Sequence, residues 1–309
     1  MLNKAIRILN FDNSLIRQAG LLSRYSTKVT DFTSLNSSAR LFMPHALRRE
    51  IADSLIPQEK NYPTFLGSGD FHHISEILTS QVNEPVCLIV FDFHPDWDIM
   101  PPRFGCGSWV TQALKNKHIS KCLLIGMGSG DLSGPALLTG GLGALAGNRL
   151  EIYPYRHKPS RVYFRSVPEN NSIKVKRGFF SSRIIWHELE KEDLADFTLK
   201  LIKLLPVQKI YISIDKDCLK SDFALTNWEQ GYLSLVQLLT MLKIMRENLD
   251  IIGLDVVGDY SLPVVAGRLK AVISRLDHPR KLAVDNCSAD LILSVNQQTN
   301  LAILQEIFS

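Results

Sequence analysis

The 309-residue sequence predicts an α/β protein with a parallel sheet covered on both faces by helices. Three observations predict it. Short apolar, β-branched runs alternate along the chain with stretches of helical period. The runs at 86–91 and 209–214 are apolar almost throughout, as strands buried on both faces are. Both also lead into acidic residues spaced by two, and ligands in parallel sheets gather outside the carboxyl ends of the strands.

Taken in order, the expected strands cover residues 5–11, 64–67, 86–93, 121–127, 150–154, 183–186, 209–215 and 251–257. The expected helices cover 46–55, 73–80, 109–116, 191–204, 234–248, 268–276 and 291–307. Residues 156–177 are polar and basic with little periodicity. They are expected to form a long loop or an excursion, hairpin-like around 162–164. No Pro/Ser-rich linker interrupts the pattern, so a single domain over 1–309 is expected.

Apolar residues make up 45% of the chain and charged residues 21%, enough apolar material for a large core. The net charge of +4, from 35 basic and 31 acidic residues, is too mild to imply a nucleic-acid or membrane partner. Five cysteines without CxxC spacing read as reduced thiols. The first residues lack the apolar core of a signal peptide, and 134–147 is too short to span a bilayer. A cytoplasmic location and a small-molecule substrate are the expectations.

The chemistry concentrates in three stretches. Asp92-x-His94-x-Asp96 continues the run 86–91, and Asp215-x-Asp217 continues the run 209–214. In a strand, residues at i, i+2 and i+4 share a face, so each motif presents its side chains to one point. A polar strand end with solvated acids is the plain alternative for either motif alone. Together they gather four aspartates, which repel one another unless cations neutralise them. Two divalent ions balance that charge. The third stretch, Gly67-Ser68-Gly69-Asp70-Phe71-His72-His73, follows an expected strand and precedes an expected helix. One of its histidines is a further candidate ligand. His72 is preferred, because His73 falls at the start of the helix.

In this order, and with the later Leu254-Asp255-Val256-Val257, the motifs resemble the arginase/agmatinase (ureohydrolase) family over roughly residues 60–260. The resemblance implies a three-layer α/β/α fold with a mainly parallel sheet of about eight strands. It implies two divalent ions, Mn²⁺ by preference, bridged by a hydroxide. Their ligands would be His72, Asp92, His94, Asp96, Asp215 and Asp217, with Asp92 and Asp215 bridging. The implied activity is hydrolysis of a non-peptide C–N bond in an amide, amidine or guanidino compound. The family often forms trimers or hexamers, so a homo-oligomer is within what the resemblance implies.

The substrate half of the family pattern is altered. The Glu that holds a guanidinium is replaced by Gly258, and the position of the proton-shuttling His lies in Gly105-Cys106-Gly107-Ser108. Arginine itself is therefore not the expected substrate. Asp96, His187 and His73 are the candidates to protonate a leaving amine. Asp259, Cys106 and Trp109 are the candidates for the substrate pocket; Trp228 is a further candidate wall, with core packing the preferred reading for both tryptophans. Asp255 is expected to lie behind the ligands and orient either a ligand histidine or a loop. Two other readings compete. One is a metal-binding scaffold without catalysis; the other is a binuclear phosphoesterase, which would need an Asn-His pair that is absent here.

Overall fold

The structure, a computed structural model, describes residues 4–55, 62–164, 167–279 and 281–309. Eleven strands form among them: β1 (Ile6–Asn10), β2 (Thr27–Asp31), β3 (Thr64–Gly67), β4 (Val86–Phe91), β5 (Ile119–Ile125), β6 (Leu150–Tyr153), β7 (Ser160–Tyr163), β8 (Ile173–Arg177), β9 (Ser181–Trp186), β10 (Lys209–Asp215) and β11 (Asp250–Val257). Eight of them make one sheet in the order β2-β1-β3-β11-β10-β4-β5-β6, with every neighbouring pair parallel.

The central strands are apolar at nearly every position because both of their faces are covered. Along β4, Val86, Leu88 and Val90 enter one core, which includes Ile77 of the helix Ile74–Ser80 and Val110 of the helix Trp109–Ala113. Cys87, Ile89 and Phe91 enter the other core. That core is closed by the helices Leu194–Lys203, Leu235–Asn248 and Ala289–Phe308, through Phe197, Met241 and Ile303. The result is the three-layer α/β/α arrangement that the alternating pattern predicts. No helix of the described residues is long and apolar enough to cross a membrane.

Two expectations are corrected. The eighth strand of the main sheet is β2, which the sequence reading omits. Its sequence, Thr-Lys-Val-Thr-Asp, is short and half exposed, as suits an edge strand whose outer side faces solvent. The run at 183–186 belongs instead to a separate antiparallel sheet, β7-β9-β8. That sheet takes up much of 156–177, where a long loop or a hairpin-like excursion is expected. It turns the alternating Val162, Ile173, Ile184 and Trp186 inward and leaves the opposite face to water.

The main sheet is ordered so that the carboxyl ends of β3, β11, β10 and β4 lie side by side. The chain leaving β3 carries His72, the chain leaving β4 carries Asp92, His94 and Asp96, and β10 ends in Asp215. Topology alone therefore brings three distant stretches to one edge.

Candidate metal centre and its cavity

Two groups of ligand-type side chains form at this edge, and they share one residue. His72, Asp92 and Asp96 offer one set of three atoms; Asp92, His94 and Asp217 offer a second. Within each set the atoms lie within 4.8 Å of one another. The His72 Nδ1 atom is 3.1 Å from Asp92 Oδ2, 3.2 Å from Asp96 Oδ2 and 3.6 Å from Asp215 Oδ2. His94 Nδ1 is 2.9 Å from Asp217 Oδ2 and 3.8 Å from Asp92 Oδ1.

Backbone groups hold the carboxylates in place. The His94 N–H donates to Asp92 Oδ1 (2.7 Å), the Asp217 N–H to Asp215 Oδ1 (3.0 Å) and the Phe93 N–H to Asp217 Oδ1 (3.0 Å). Asp96 sits at φ 45°, a left-handed conformation that aspartate adopts more readily than most residues. The Trp109 indole N–H fixes its side chain at 2.8 Å.

A relay behind His72 orients its ring. The Ser213 hydroxyl donates to Asp255 Oδ1 (2.7 Å) and lies 3.0 Å from His72 Nε2. Its one proton goes to Asp255, so its oxygen accepts from Nε2–H, and in the neutral ring the Nδ1 lone pair faces the aspartates. Ser75 (2.8 Å) and Tyr211 (2.7 Å) also donate to Asp255. Such a carboxylate–hydroxyl–imidazole chain sets the tautomer of a ligand histidine. Asp255→Asn is expected to weaken divalent-metal affinity ~10- to 100-fold with the fold retained, as titration with Mn²⁺ would measure.

Electrostatics point the same way. Burial, then the charge of Asp96, pushes the Asp92 carboxyl up to about 7. Burial and Asp217 push Asp215 up to about 7, and burial and Asp92 push Asp217 up to about 6. Burial opposes charge on His72 and His94, but their carboxylate partners outweigh it and raise both well above the ordinary imidazole value. His72 Nδ1 and Asp92 Oδ2 are buried without a well-formed hydrogen bond. Unsatisfied donor atoms, crowded carboxylates and two imidazoles together fit hard or borderline divalent cations.

Asp92, His94, Asp96, Asp215 and Asp217, with His72 buried against them, line the floor of a cavity of about 500 Å³. Its walls include Trp228, Glu229, Cys106, Asp98, Asp131 and Asp277, and no Lys or Arg lines it among the described residues. Burial holds the Cys106 thiol protonated, its value raised well above normal.

The structure does not bring every predicted residue here. Trp109 is wholly buried beneath the floor, where its ring packs on His72 with centroids 4.7 Å apart. It packs on His72 and holds Asp96 rather than lining the cavity. His73 does not line the cavity and is kept neutral by burial and Lys270, pushed down to about 3. His187 follows β9 in the second sheet, where it pairs with Glu192 at 2.9 Å outside the cavity. Asp259 is also outside. It is buried against Lys216 (3.0 Å) and Gln18 (2.6 Å). The glycine at 258 is required sterically. Its φ is +93°, and a Cβ there would lie 2.6 Å from Asp215 Oδ1 and 2.7 Å from the Lys216 nitrogen. A glutamate has no room at that position.

Sequence reasoning misses several contributors. Glu229 lies 3.1 Å from His94 Nε2 and faces the cavity. Asp70 belongs to neither ligand-type group; it accepts from Arg40 (2.5 Å), His278 (2.9 Å) and Trp228 (3.0 Å). Asp98 was within reach of the pattern, because it extends the alternation Asp92, His94, Asp96 by one more step.

Comparison with known proteins is consistent with this architecture. No protein-family model matches the chain. An uncharacterised protein of Thermotoga maritima is 28% identical over 197 residues, covering 63% of this chain and 57% of that protein. The chain thus spans just over half the length of that relative. Among solved structures, the arginase of Bacillus caldovelox superposes with a TM-score of 0.59 at 14% identity over 99% of both chains. Proclavaminate amidino hydrolase from Streptomyces clavuligerus gives 0.57 at 11% identity, covering 99% of this chain and 92% of that one. The agmatine ureohydrolase of Thermoplasma volcanium gives 0.53 at 11%, with the same coverage. At these identities the likeness is one of fold. The chain has the arginase/agmatinase, or ureohydrolase, fold.

Proposed function

We propose that this chain is a binuclear metal-dependent hydrolase that cleaves a non-peptide C–N bond in a cationic amidine, guanidine or amide. The observation that carries the reading is the pair of ligand groups sharing Asp92 on the floor of a cavity. His72, Asp92 and Asp96 would hold one ion; His94, Asp92 and Asp217 would hold the other, with Asp215 beside the first. Mn²⁺ suits four carboxylates and two imidazoles. When bound, such ions supply Lewis acidity and a water acidified toward neutral pH.

The chain's own residues do the rest. Ser213 and Asp255 hold His72 in its ligand tautomer, and Trp109 holds Asp96. Glu229, Asp98, Asp131 and Asp277 surround the approaching substrate with negative charge, which favours a cation and repels an anion. The same wall counts against a phosphoesterase, whose anionic substrate would enter a cavity that no Lys or Arg lines among the described residues. Trp228 offers a flat apolar wall against which a planar amidine or amide packs.

Elemental analysis combined with a product screen tests this. The expectation is two divalent ions per chain, with release of urea, ammonia or an amine from cationic members of an amidine, guanidine and amide panel. A fully metallated protein that turned over none of them would be a binding protein, and the enzymatic reading would fall.

A further inference from the structure

The small antiparallel sheet β7-β9-β8 presents an unusual solvent face. Strand register sets Arg161 opposite Arg183, and Arg183 opposite Lys176, a row of three cations straight across three strands. Like charges directly opposed on a sheet are destabilising. Lys174 extends the row along the same face of β8, Arg177 adds a cation at that strand's end beside the aromatic turn, and all five side chains are exposed. Residues 160–186 hold six of the chain's 35 basic residues and one of its 31 acidic ones, a net +5. The remaining 29 basic and 30 acidic residues sum to −1, so the mild whole-chain charge conceals a strongly basic element. The single acid, Glu169, is engaged by the Val175 N–H at 2.8 Å.

Beyond the row, the end of the sheet is aromatic. Phe179 is 95% exposed, Phe164 84% and Phe180 65%, with Tyr163 beside them at 51%. Phe180 contacts both other phenylalanines edge to face, at 4.7 and 6.4 Å between centroids. The three rings therefore form one apolar tip with nothing folded over it among the described residues. Isolated exposed apolar residues are ordinary; a contiguous aromatic tip backed by a cation row is not.

We propose that this sheet docks the protein on an anionic lipid bilayer, with the phenylalanine tip inserted at the interface and the cation row against the headgroups. The order of the two features selects this partner. An interface places apolar groups deepest and basic groups one layer back, which is the order from Phe179 to Arg183. Sheets that bind single-stranded nucleic acid carry their aromatics on the charged face, where bases stack, and not in a turn ahead of it. A two-fold contact with a second copy through this face would set the cation row against itself.

Sedimentation of the full chain with phosphatidylcholine vesicles, with and without phosphatidylserine, tests the proposal. Binding is expected only to the serine-lipid vesicles and should weaken steeply with added salt. Phe179→Ala/Phe180→Ala and Lys176→Glu/Arg183→Glu should each lower it by about tenfold or more. The thermal melt should be unchanged for the alanine pair, whose rings face water. In Phe179→Trp, the indole emission should shift to the blue on vesicle binding. Folded protein that ignores these vesicles overturns the proposal. So does equal binding to neutral vesicles, or a change of oligomeric state in the alanine pair without any vesicle binding.

Discussion

Asp92→Asn should abolish divalent-metal binding at both positions and take hydrolysis down by more than ~10²-fold, beyond the ~10- to 100-fold expected of a residue one bond removed from the ions. Asp92 is the residue common to both ligand groups. Its Oδ1 already accepts the His94 N–H, and its Oδ2 faces His72 Nδ1 at 3.1 Å. Asparagine keeps the volume but removes the charge, and it places an amide where a cation would bind. The variant has a second, opposite signature. Removing one of several crowded buried carboxylates relieves repulsion, so the metal-free variant should melt higher than the metal-free parent at about pH 8. A loss of metal caused by general misfolding would instead lower that melt. Metal content and turnover measured side by side decide the matter. Parent-level metal in Asp92→Asn would remove the basis for a shared ligand.

The legible parts of this protein are those whose cause is local. Continuous apolar runs mark β4 and β10 because both faces of those strands are covered, and period-two aspartates mark their ends. The edge strand β2 is silent because it is only half buried, so its pattern resembles a polar loop. The sheet β7-β9-β8 is misread for a related reason. Only its inward face is apolar, and each strand is four to six residues long. Side-chain roles fail where partners come from far away. Asp259 looks like a pocket residue until Lys216, Gln18 and Asn300 converge on it, the last two from near opposite ends of the chain. Glu229 reaches His94 from 135 residues away with no motif to announce it. Gly258 shows the opposite case. As a sequence change it reads as a lost glutamate, whereas in the fold it is the residue that lets the backbone pass Asp215 and Lys216.

With metal removed, the protein should lose stability as pH rises from about 5.5 to about 8, and divalent cations should reverse that trend. Unfolded aspartates ionise near 3.9 and histidines near 6.5. In the fold, Asp92 and Asp215 are pushed up to about 7 and Asp217 to about 6, while His72 and His94 are raised well above their ordinary value. A group raised on folding contributes stability that is present below its unfolded value and lost as pH climbs through its folded one. All five shifts therefore have the same sign. The aspartates withdraw their contribution between about pH 4 and 7, and the histidines withdraw theirs above about 6.5. A bound cation needs these carboxylates ionised and the imidazoles neutral, so its affinity rises over the same window. At a hundredfold excess over its dissociation constant, a ligand confined to the folded state adds about 2.7 kcal/mol. Melting curves in chelator and in excess Mn²⁺ should thus diverge with increasing pH: falling in the first, level or rising in the second. Curves that stayed parallel across that range would mean that the buried aspartates do not receive the cation, whatever else the fold resembles.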